Sequence, residues 1–176
     1  MGDDGDERPG RLPVDQLLGS TVHAELLSRS LTLATAESLT GGGLADLATA
    51  SPGASETFVG GVVSYATSVK TGLLGVGADT VAEHGVVSAR CAEQMATGVR
   101  SLLGADWGVS TTGVAGPTEQ EGKPVGTVFV GVAGPDGVAA HELHLEGDRA
   151  AVRAAACRRA AELLVAAVTG APGDTP

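Results

Sequence analysis

Aromatic side chains are nearly absent from this sequence: one Trp, one Tyr and two Phe make up 2% of the 176 residues. Because 43% of the residues are hydrophobic, the core has to be built from Ala, Val and Leu packed between close layers. The net charge of −10 excludes the extended basic surface that nucleic acids and anionic membranes require. We therefore expect no nucleic-acid partner and no membrane partner.

Long apolar runs are missing as well, so no segment predicts a transmembrane helix. The first residues are acidic and lack the apolar stretch of a secretory signal. The two cysteines, Cys91 and Cys157, have neither a metal-binding nor a redox-motif spacing, which favours reduced packing residues. Together these features predict a cytoplasmic protein without a metal site.

Hydrophobic periodicity predicts helices that alternate with short buried strands. The predicted helices cover residues 14–28, 44–50, 69–74, 88–103 and 148–168, and the predicted strands cover residues 31–36, 58–65, 107–112, 125–133 and 138–145. This order predicts an α/β fold: a three-layer α/β/α sandwich with a mixed, mostly parallel sheet and a β-hairpin near the C-terminal end. We expect a single domain over residues 13–169, between a disordered lead-in at 1–12 and a disordered tail at 170–176.

Residues 35–43 combine a predicted strand end with hydroxyls, a carboxylate and three glycines. Ser38 within this segment has two interpretations. A serine at such a position commonly caps the helix that follows. A serine exposed at the end of a strand can also be a nucleophile, provided that a base takes its proton. The segment on its own leaves both interpretations open.

The histidines offer no clear base for Ser38. None of the four has a neighbour that suggests a triad, and His141 and His144, three apart on a predicted strand, point to opposite faces. The chain has only two lysines, and a desolvated lysine can act as a base near neutral pH. Lys70 lies five residues after Tyr65, the only tyrosine, which could orient the amine or relay a proton. Taken singly, both are more simply interpreted as surface residues.

Two further segments can contact a substrate. Residues 111–117, Thr-Thr-Gly-Val-Ala-Gly-Pro, leave a predicted strand with small side chains that let a ligand approach the backbone, although an ordinary turn has the same composition. Arg149 begins the last predicted helix, where a cation opposes the helix dipole. It can bind a phosphate or carboxylate through two hydrogen bonds, or pair with Asp148 or another nearby acid.

These segments are similar, in order and spacing, to the CinA C-terminal domain family. The similarity covers roughly residues 14–168 and is carried by residues 35–42, 60–70, 85–88, 112–117, 123–127 and 147–153. Its most specific part is Ala36-Glu37-Ser38-x-Thr40-Gly41-Gly42, supported by Gly-x-Ala-Gly-Pro at 113–117. The best-understood members of that family are nicotinamide-nucleotide amidohydrolases, also called nicotinamide mononucleotide deamidases.

The resemblance implies an amidohydrolase, without metal or cofactor, that converts nicotinamide mononucleotide into nicotinic acid mononucleotide and ammonia. It implies Ser38 as the nucleophile, Lys70 as its base and Tyr65 as an assisting residue. We assign substrate binding to Glu37, Thr40, Gly41, Gly42, Thr112, Gly113, Ala115, Gly116 and Arg149. The N–H groups of residues 40–42 are expected to hold the oxyanion. We expect Glu37 to face the pyridinium cation or position a loop, and Arg149 or a helix N-terminus to hold the phosphate.

Two segments depart from the family's usual pattern. Ala66-Thr67 stands where Ser-Asn often follows the tyrosine, and the acidic residues 118–121 stand where the family continues with glycines. Acidic side chains beside a phosphate are unfavourable, so we expect residues 118–121 to point away from the site. Two alternatives keep the same cleft: a weak or inactive module that binds a pyridine nucleotide or a partner protein, and a hydrolase of another small amide. We also expect a homodimer.

Overall fold

The computed structural model describes residues 14–170. Its helices are α1 (Val14–Leu27), α2 (Gly43–Ala48), α3 (Thr67–Gly72), α4 (Ala78–His84), α5 (Ala89–Leu103) and α6 (Arg149–Thr169), with a 3-10 turn at Ala54–Glu56. Its strands are β1 (Leu33–Glu37), β2 (Phe58–Val63), β3 (Trp107–Gly113), β4 (Thr127–Gly134) and β5 (Gly137–His144). The predicted lead-in at 1–12 lies outside the described residues. So does the predicted tail, apart from Gly170, which ends α6 in the left-handed conformation.

A five-stranded sheet in the order β2-β1-β3-β4-β5 forms the middle layer. β1 pairs in parallel with β2 and β3, whereas β3 with β4 and β4 with β5 are antiparallel. The predicted mixed sheet and its C-terminal hairpin are therefore confirmed. Only β4 runs against the other strands, so the sheet is mostly parallel in strand direction, although two of its four pairings are antiparallel.

Two helical layers cover this sheet. On one face, α1, α2 and α6 pack Leu26, Leu47 and Leu164 against strand residues such as Val109. On the other face, α5 packs Met95 and its neighbours against the opposite side of the same strands. This arrangement confirms the predicted α/β/α sandwich, and its close layers suit a core made of small aliphatic side chains.

The predicted start of α5 is confirmed, because the Ser88 Oγ accepts a hydrogen bond from the Cys91 N–H at 3.2 Å. Helix α4 has no counterpart among the helices predicted from the sequence. Only Thr80 of that helix is buried, so its seven residues carry no apolar stripe that periodicity could detect.

The strand directions bring the predicted site residues to one edge of the sheet. Ser38 follows β1, Tyr65 follows β2, and the loop from Val114 follows β3, so all three leave parallel strands at their carboxyl ends. α6 begins after β5, which runs in the same direction. Ligands of α/β proteins bind at such an edge. None of the helices between residues 14 and 170 is long and apolar enough to cross a membrane.

Candidate active site

Ser38 and Lys70 meet at the carboxyl edge of the sheet. The Ser38 N–H donates to the Thr111 carbonyl of β3 at 2.9 Å, which extends the strand pairing and fixes the serine at the sheet edge. Lys70 lies on α3, and only 1% of it is exposed. Its Nζ lies 3.1 Å from the Ser38 Oγ. The two residues that the sequence proposed as nucleophile and base are therefore in hydrogen-bond contact.

Two backbone carbonyls hold the Lys70 amine. Its Nζ donates to the Ser64 carbonyl at 2.7 Å and to the Tyr65 carbonyl at 3.3 Å. Both carbonyls belong to the segment that leaves β2. A neutral amine has two N–H donors and one lone pair, so these two carbonyls can take both hydrogens. The lone pair then faces the remaining neighbour, the Ser38 hydroxyl.

Burial lowers the pKa of Lys70 from its ordinary value of 10.5. The desolvation of the ammonium outweighs the opposing effects of Cys91 and of the Glu121 carboxylate, which both raise the pKa. Burial also raises the pKa of the Cys91 thiol to about 11, so near pH 7 this thiol is neutral and its opposing effect on Lys70 applies only at higher pH. Lys70 thus has the properties of a base, since a lowered pKa increases its neutral fraction.

The Tyr65 phenol faces a different partner from the one expected. Its hydroxyl accepts a hydrogen bond from the Arg149 Nη2 at 2.9 Å, and 60% of the residue is exposed. Tyr65 therefore contacts the Lys70 amine through its backbone carbonyl and not through its side chain. The expected contact between the tyrosine hydroxyl and the amine is not found, because the hydroxyl contacts Arg149 instead.

Glu37 positions a loop and does not face the cleft. The side chain is 1% exposed at the end of β1. Its carboxylate accepts hydrogen bonds from the N–H groups of Gly42, Leu44 and Ala45 at 2.8–3.0 Å. It thus satisfies the free donors at the start of α2, whose dipole also favours a negative charge. The alternative of contact with a pyridinium is not supported, because these donors occupy the carboxylate.

The turn after Ser38 uses the N–H groups of Gly41 and Gly42 internally, which corrects part of the expected oxyanion site. Gly41 N–H donates to the Ser38 carbonyl and Gly42 N–H to Glu37. Gly41 and Gly42 have φ of +60° and +100°, a backbone that favours glycine and turns the chain into α2. The Leu39 and Thr40 N–H groups have no acceptor within the described residues.

The Thr40 hydroxyl is also occupied, since its Oγ1 lies 2.7 Å from the Oγ1 of buried Thr111. This contact ties the turn to β3. Thr40, Gly41 and Gly42 therefore act on Ser38 through the shape of the turn, and none of the three is among the residues that border the cleft. Of the three N–H groups expected to hold the oxyanion, only that of Thr40 has no acceptor within the described residues.

The loop after β3 forms the opposite wall. The Thr112 hydroxyl donates to the Val86 carbonyl at 2.7 Å, so it holds the neighbouring loop in place. Ala115 and Gly116 keep backbone N–H groups without an acceptor in the described part of the chain. Gly116 has φ of +90°, and an added Cβ would lie 2.9 Å from Val125, which explains the need for glycine. Its carbonyl accepts from the Arg149 Nη1 at 2.7 Å.

The acidic segment does not point away, which corrects the expectation from the sequence. Thr118, Glu119 and Gln120 border the cleft. Glu121 turns back instead, and its carboxylate accepts from the Val86 and Val87 N–H groups at 3.1 and 3.0 Å. The cleft therefore has the Arg149 guanidinium and the Lys70 amine on its walls and a carboxylate at its rim.

These walls enclose a cavity of about 330 Å³. This volume suits a small ligand. Of the predicted site residues, Ser38, Tyr65, Lys70, Thr112, Gly113, Ala115, Gly116 and Arg149 border it. Within residues 14–170, no group of three or more His, Cys, Asp or Glu side chains is placed to hold a metal ion.

Three residues that support the site were not among those predicted from the sequence: Ser64, Glu121 and Arg153. Ser64 acts through its carbonyl, which no sequence pattern reveals. Glu121 lies in a loop whose path depends on the fold. Arg153 could have been found from the sequence, because it lies four residues after Arg149 and therefore on the same face of the predicted last helix.

Comparison with known proteins supports a family assignment. The family model of the CinA C-terminal domain matches residues 15–168. A CinA-like protein of Frankia casuarinae is 51% identical over 160 residues, which are 91% of this chain and 37% of that protein. A CinA-like protein of a Synechococcus species is 56% identical over 121 residues, 68% of this chain and 29% of that protein. The chain thus spans about a third of the length of these curated relatives.

Solved structures match over nearly their whole length. A CinA superfamily protein from Klebsiella pneumoniae superposes with a TM-score of 0.87 at 34% identity, over 90% of this chain and 99% of that one. The competence/damage inducible protein CihA from Agrobacterium tumefaciens gives a TM-score of 0.84 at 34% identity, over 91% of this chain and 99% of its own.

Proposed function

This chain belongs to the CinA C-terminal domain family, and from that premise we propose that it is a serine amidohydrolase with Lys70 as its base. The proposed reaction converts nicotinamide mononucleotide and water into nicotinic acid mononucleotide and ammonia. The observation that carries the proposal is the contact between the Lys70 Nζ and the Ser38 Oγ at 3.1 Å, with two carbonyls on the other donor positions of the amine. A nucleophile needs such an adjacent base.

The first half of the reaction begins when neutral Lys70 takes the Ser38 proton. The Ser38 Oγ then attacks the carboxamide carbon and forms a tetrahedral oxyanion. The positive pyridinium ring withdraws electrons from the amide and makes it more reactive than an ordinary amide. The Lys70 ammonium returns its proton to the amide nitrogen, and the C–N bond breaks to release ammonia.

The second half uses the same groups in reverse. The acyl-enzyme on Ser38 is attacked by water, whose proton goes to Lys70. The ester bond then breaks, Lys70 protonates the serine, and the carboxylate product leaves. The Leu39 and Thr40 N–H groups, which follow Ser38 directly and have no acceptor within the described residues, are the proposed oxyanion donors.

Substrate binding is assigned to the opposite wall of the cleft. The Ala115 and Gly116 N–H groups and the exposed Arg149 guanidinium supply donors for the 5′-phosphate. Glu119, at the rim, supplies a negative charge for the pyridinium ring. The chain therefore offers separate partners for the two opposite charges of this substrate.

The test is ammonia release by the purified full chain after treatment with a chelator. Nicotinamide mononucleotide, nicotinamide riboside and nicotinamide are compared as substrates, and the product is identified by chromatography. We expect the mononucleotide to be preferred, and we expect Ser38→Ala and Lys70→Met to abolish release while both variants stay folded. Ser101→Ala, which removes an exposed hydroxyl of α5, is the matched control.

Two results would favour the alternatives. Thermal stabilisation by the mononucleotide without ammonia release would indicate a binding module of the same fold. Preferred turnover of nicotinamide or the riboside would indicate an amidase for another small substrate. We also propose a cytoplasmic homodimer, which size-exclusion chromatography with light scattering tests directly.

A further inference from the structure

Arg153 makes contacts that the proposed reaction leaves unexplained. It lies on α6, and its half-buried side chain reaches the turn after Ser38. The Nε donates to the Leu39 carbonyl at 3.0 Å, and the Nη2 donates to the Thr40 carbonyl at 2.8 Å. One guanidinium group therefore holds two successive peptide units of the turn. A planar fork of donors suits this task, whereas the single nitrogen of a lysine does not.

These contacts determine where the neighbouring N–H groups point. In a trans peptide the C=O and the N–H point in opposite directions. The Leu39 carbonyl and the Thr40 N–H belong to one peptide, so fixing the carbonyl toward Arg153 turns the Thr40 N–H away from it. Arg153 and Thr40 border a groove between α1, α2 and α6, whereas Ser38 and Leu39 border the cleft. The turn is thus a wall between groove and cleft, and the Thr40 N–H points away from Arg153, which lies on the groove side.

The turn after Ser38 contains two flexible residues, Gly41 and Gly42, so contacts from another element are needed to hold its peptide planes. Gly41 and Gly42 follow directly with positive φ, and glycine backbones have more conformations to lose than other residues. Gly41 is exposed, and a Cβ added to it would lie 3.3 Å from the Arg153 Nη2. The Arg153 guanidinium donates to the Leu39 and Thr40 carbonyls, which directly precede the two glycines. These hydrogen bonds restrict rotation of the peptide planes.

We propose that Arg153 is a positioning residue that fixes the Leu39–Thr40 peptide so that its N–H can donate to the oxyanion. The inference rests on the proposed function for its catalytic consequence. Arg153 differs in role from Arg149, one turn earlier, which contacts Gly116 and Tyr65 on the substrate wall. Arg153 acts on the transition state through the turn and makes no contact with substrate.

The experiment compares Arg153→Ala and Arg153→Lys with wild type and with Arg159→Ala. Arg159 lies on the same helix and pairs with Glu162 at the surface, which makes it the matched control. We expect kcat to fall about 100-fold in Arg153→Ala, with KM within about twofold, because misplacement of a catalytic group costs this much. Arg153→Lys should recover little of the loss. Added methylguanidinium should restore part of kcat in Arg153→Ala and change nothing in the control.

Hydrogen–deuterium exchange of the peptide spanning residues 38–43 is the second readout. We expect faster exchange of the Gly41 and Gly42 amides, which are hydrogen-bonded in the turn, in Arg153→Ala than in wild type or Arg159→Ala. If wild type releases no ammonia, the proposed function fails, and exchange alone decides whether Arg153 holds the turn. Unchanged exchange, or a rise in KM at unchanged kcat, overturns the inference.

Discussion

The Lys70 Nζ lies 3.1 Å from the Ser38 Oγ, and the two residues come from different elements of the fold. Ser38 follows the buried strand β1, whereas Lys70 lies on α3 after β2. The parallel pairing of β1 with β2 places both chain exits at one edge. The pair is therefore a product of sheet topology, and burial of the Lys70 side chain supplies the lowered pKa that the chemistry needs.

The pH dependence of kcat should reflect Lys70. Because the neutral amine is the base and burial lowers its pKa, kcat should rise with pH and level off below the ordinary value of 10.5. A pH–rate profile measured at saturating substrate checks this. A rate that is already independent of pH in the range where the amine is protonated, or that falls as pH rises, would contradict Lys70 as base.

The same burial should make stability depend on pH. Between the lowered pKa and 10.5, the unfolded chain binds more protons at Lys70 than the folded chain does, so unfolding free energy should rise with pH. Lys70→Met removes this dependence and keeps most of the buried stem. Denaturant unfolding of wild type and Lys70→Met across this pH range measures the difference. If the unfolding free energies of the two proteins change with pH in the same way, the amine is not desolvated in the folded state.

Arg149 and Tyr65 should behave as a coupled pair. Because the phenol accepts from the Arg149 guanidinium at 2.9 Å, Tyr65→Phe should act largely through Arg149. We expect Arg149→Ala to raise KM for the mononucleotide about tenfold, as loss of a charge-assisted bond does, and to affect the riboside less. In a double-mutant cycle, Tyr65→Phe should add little to Arg149→Ala. If the effects of the two substitutions on KM are additive, Tyr65 and Arg149 act independently, which would contradict this prediction.

Glu119 should favour the cationic ring. Glu119→Gln is expected to raise KM for nicotinamide mononucleotide about two- to threefold at low salt, since the residue is exposed and its attraction is screened. The difference from wild type should shrink as salt is added. Glu83→Gln, which changes an exposed glutamate of α4, is the control. A lower KM in Glu119→Gln would mean that the carboxylate repels the substrate phosphate.

Glu37 should matter for stability. Its carboxylate accepts three backbone N–H groups at the start of α2, and Glu37→Ala leaves them unpaired. The unfolding free energy should fall by about 3 kcal/mol, and Glu37→Gln, which keeps one oxygen acceptor, should lose less. Glu83→Ala should stay within about 0.5 kcal/mol of wild type in the same denaturant titration. Equal losses in all three variants would argue against this capping role.

The sequence predicted the layers and the sheet class, because these depend on hydrophobic periodicity. The family motif also proposed Ser38 and Lys70 as partners, and the structure brings the two side chains into contact. The sequence did not predict α4, whose single buried residue leaves no periodic signal. The roles of Glu37 and of the Tyr65 phenol depend on which hydrogen bonds compete in the folded state. Residues 118–121 were misplaced because charge alone does not determine the path of a loop. The Glu121 carboxylate accepts hydrogen bonds from the Val86 and Val87 N–H groups. Residues 118–120, which precede it, then border the cleft.

The measurement that tests the central proposal most directly is detection of the acyl-enzyme. Wild type and Ser38→Ala are mixed with nicotinamide mononucleotide, quenched in acid within milliseconds to seconds, and analysed by intact-mass and peptide mass spectrometry. We predict that wild type gains the mass of the substrate minus ammonia, on the peptide that contains Ser38, and that Ser38→Ala gains none. Ammonia release by Ser38→Ala at the wild-type rate, or an adduct on another residue, would contradict Ser38 as the nucleophile.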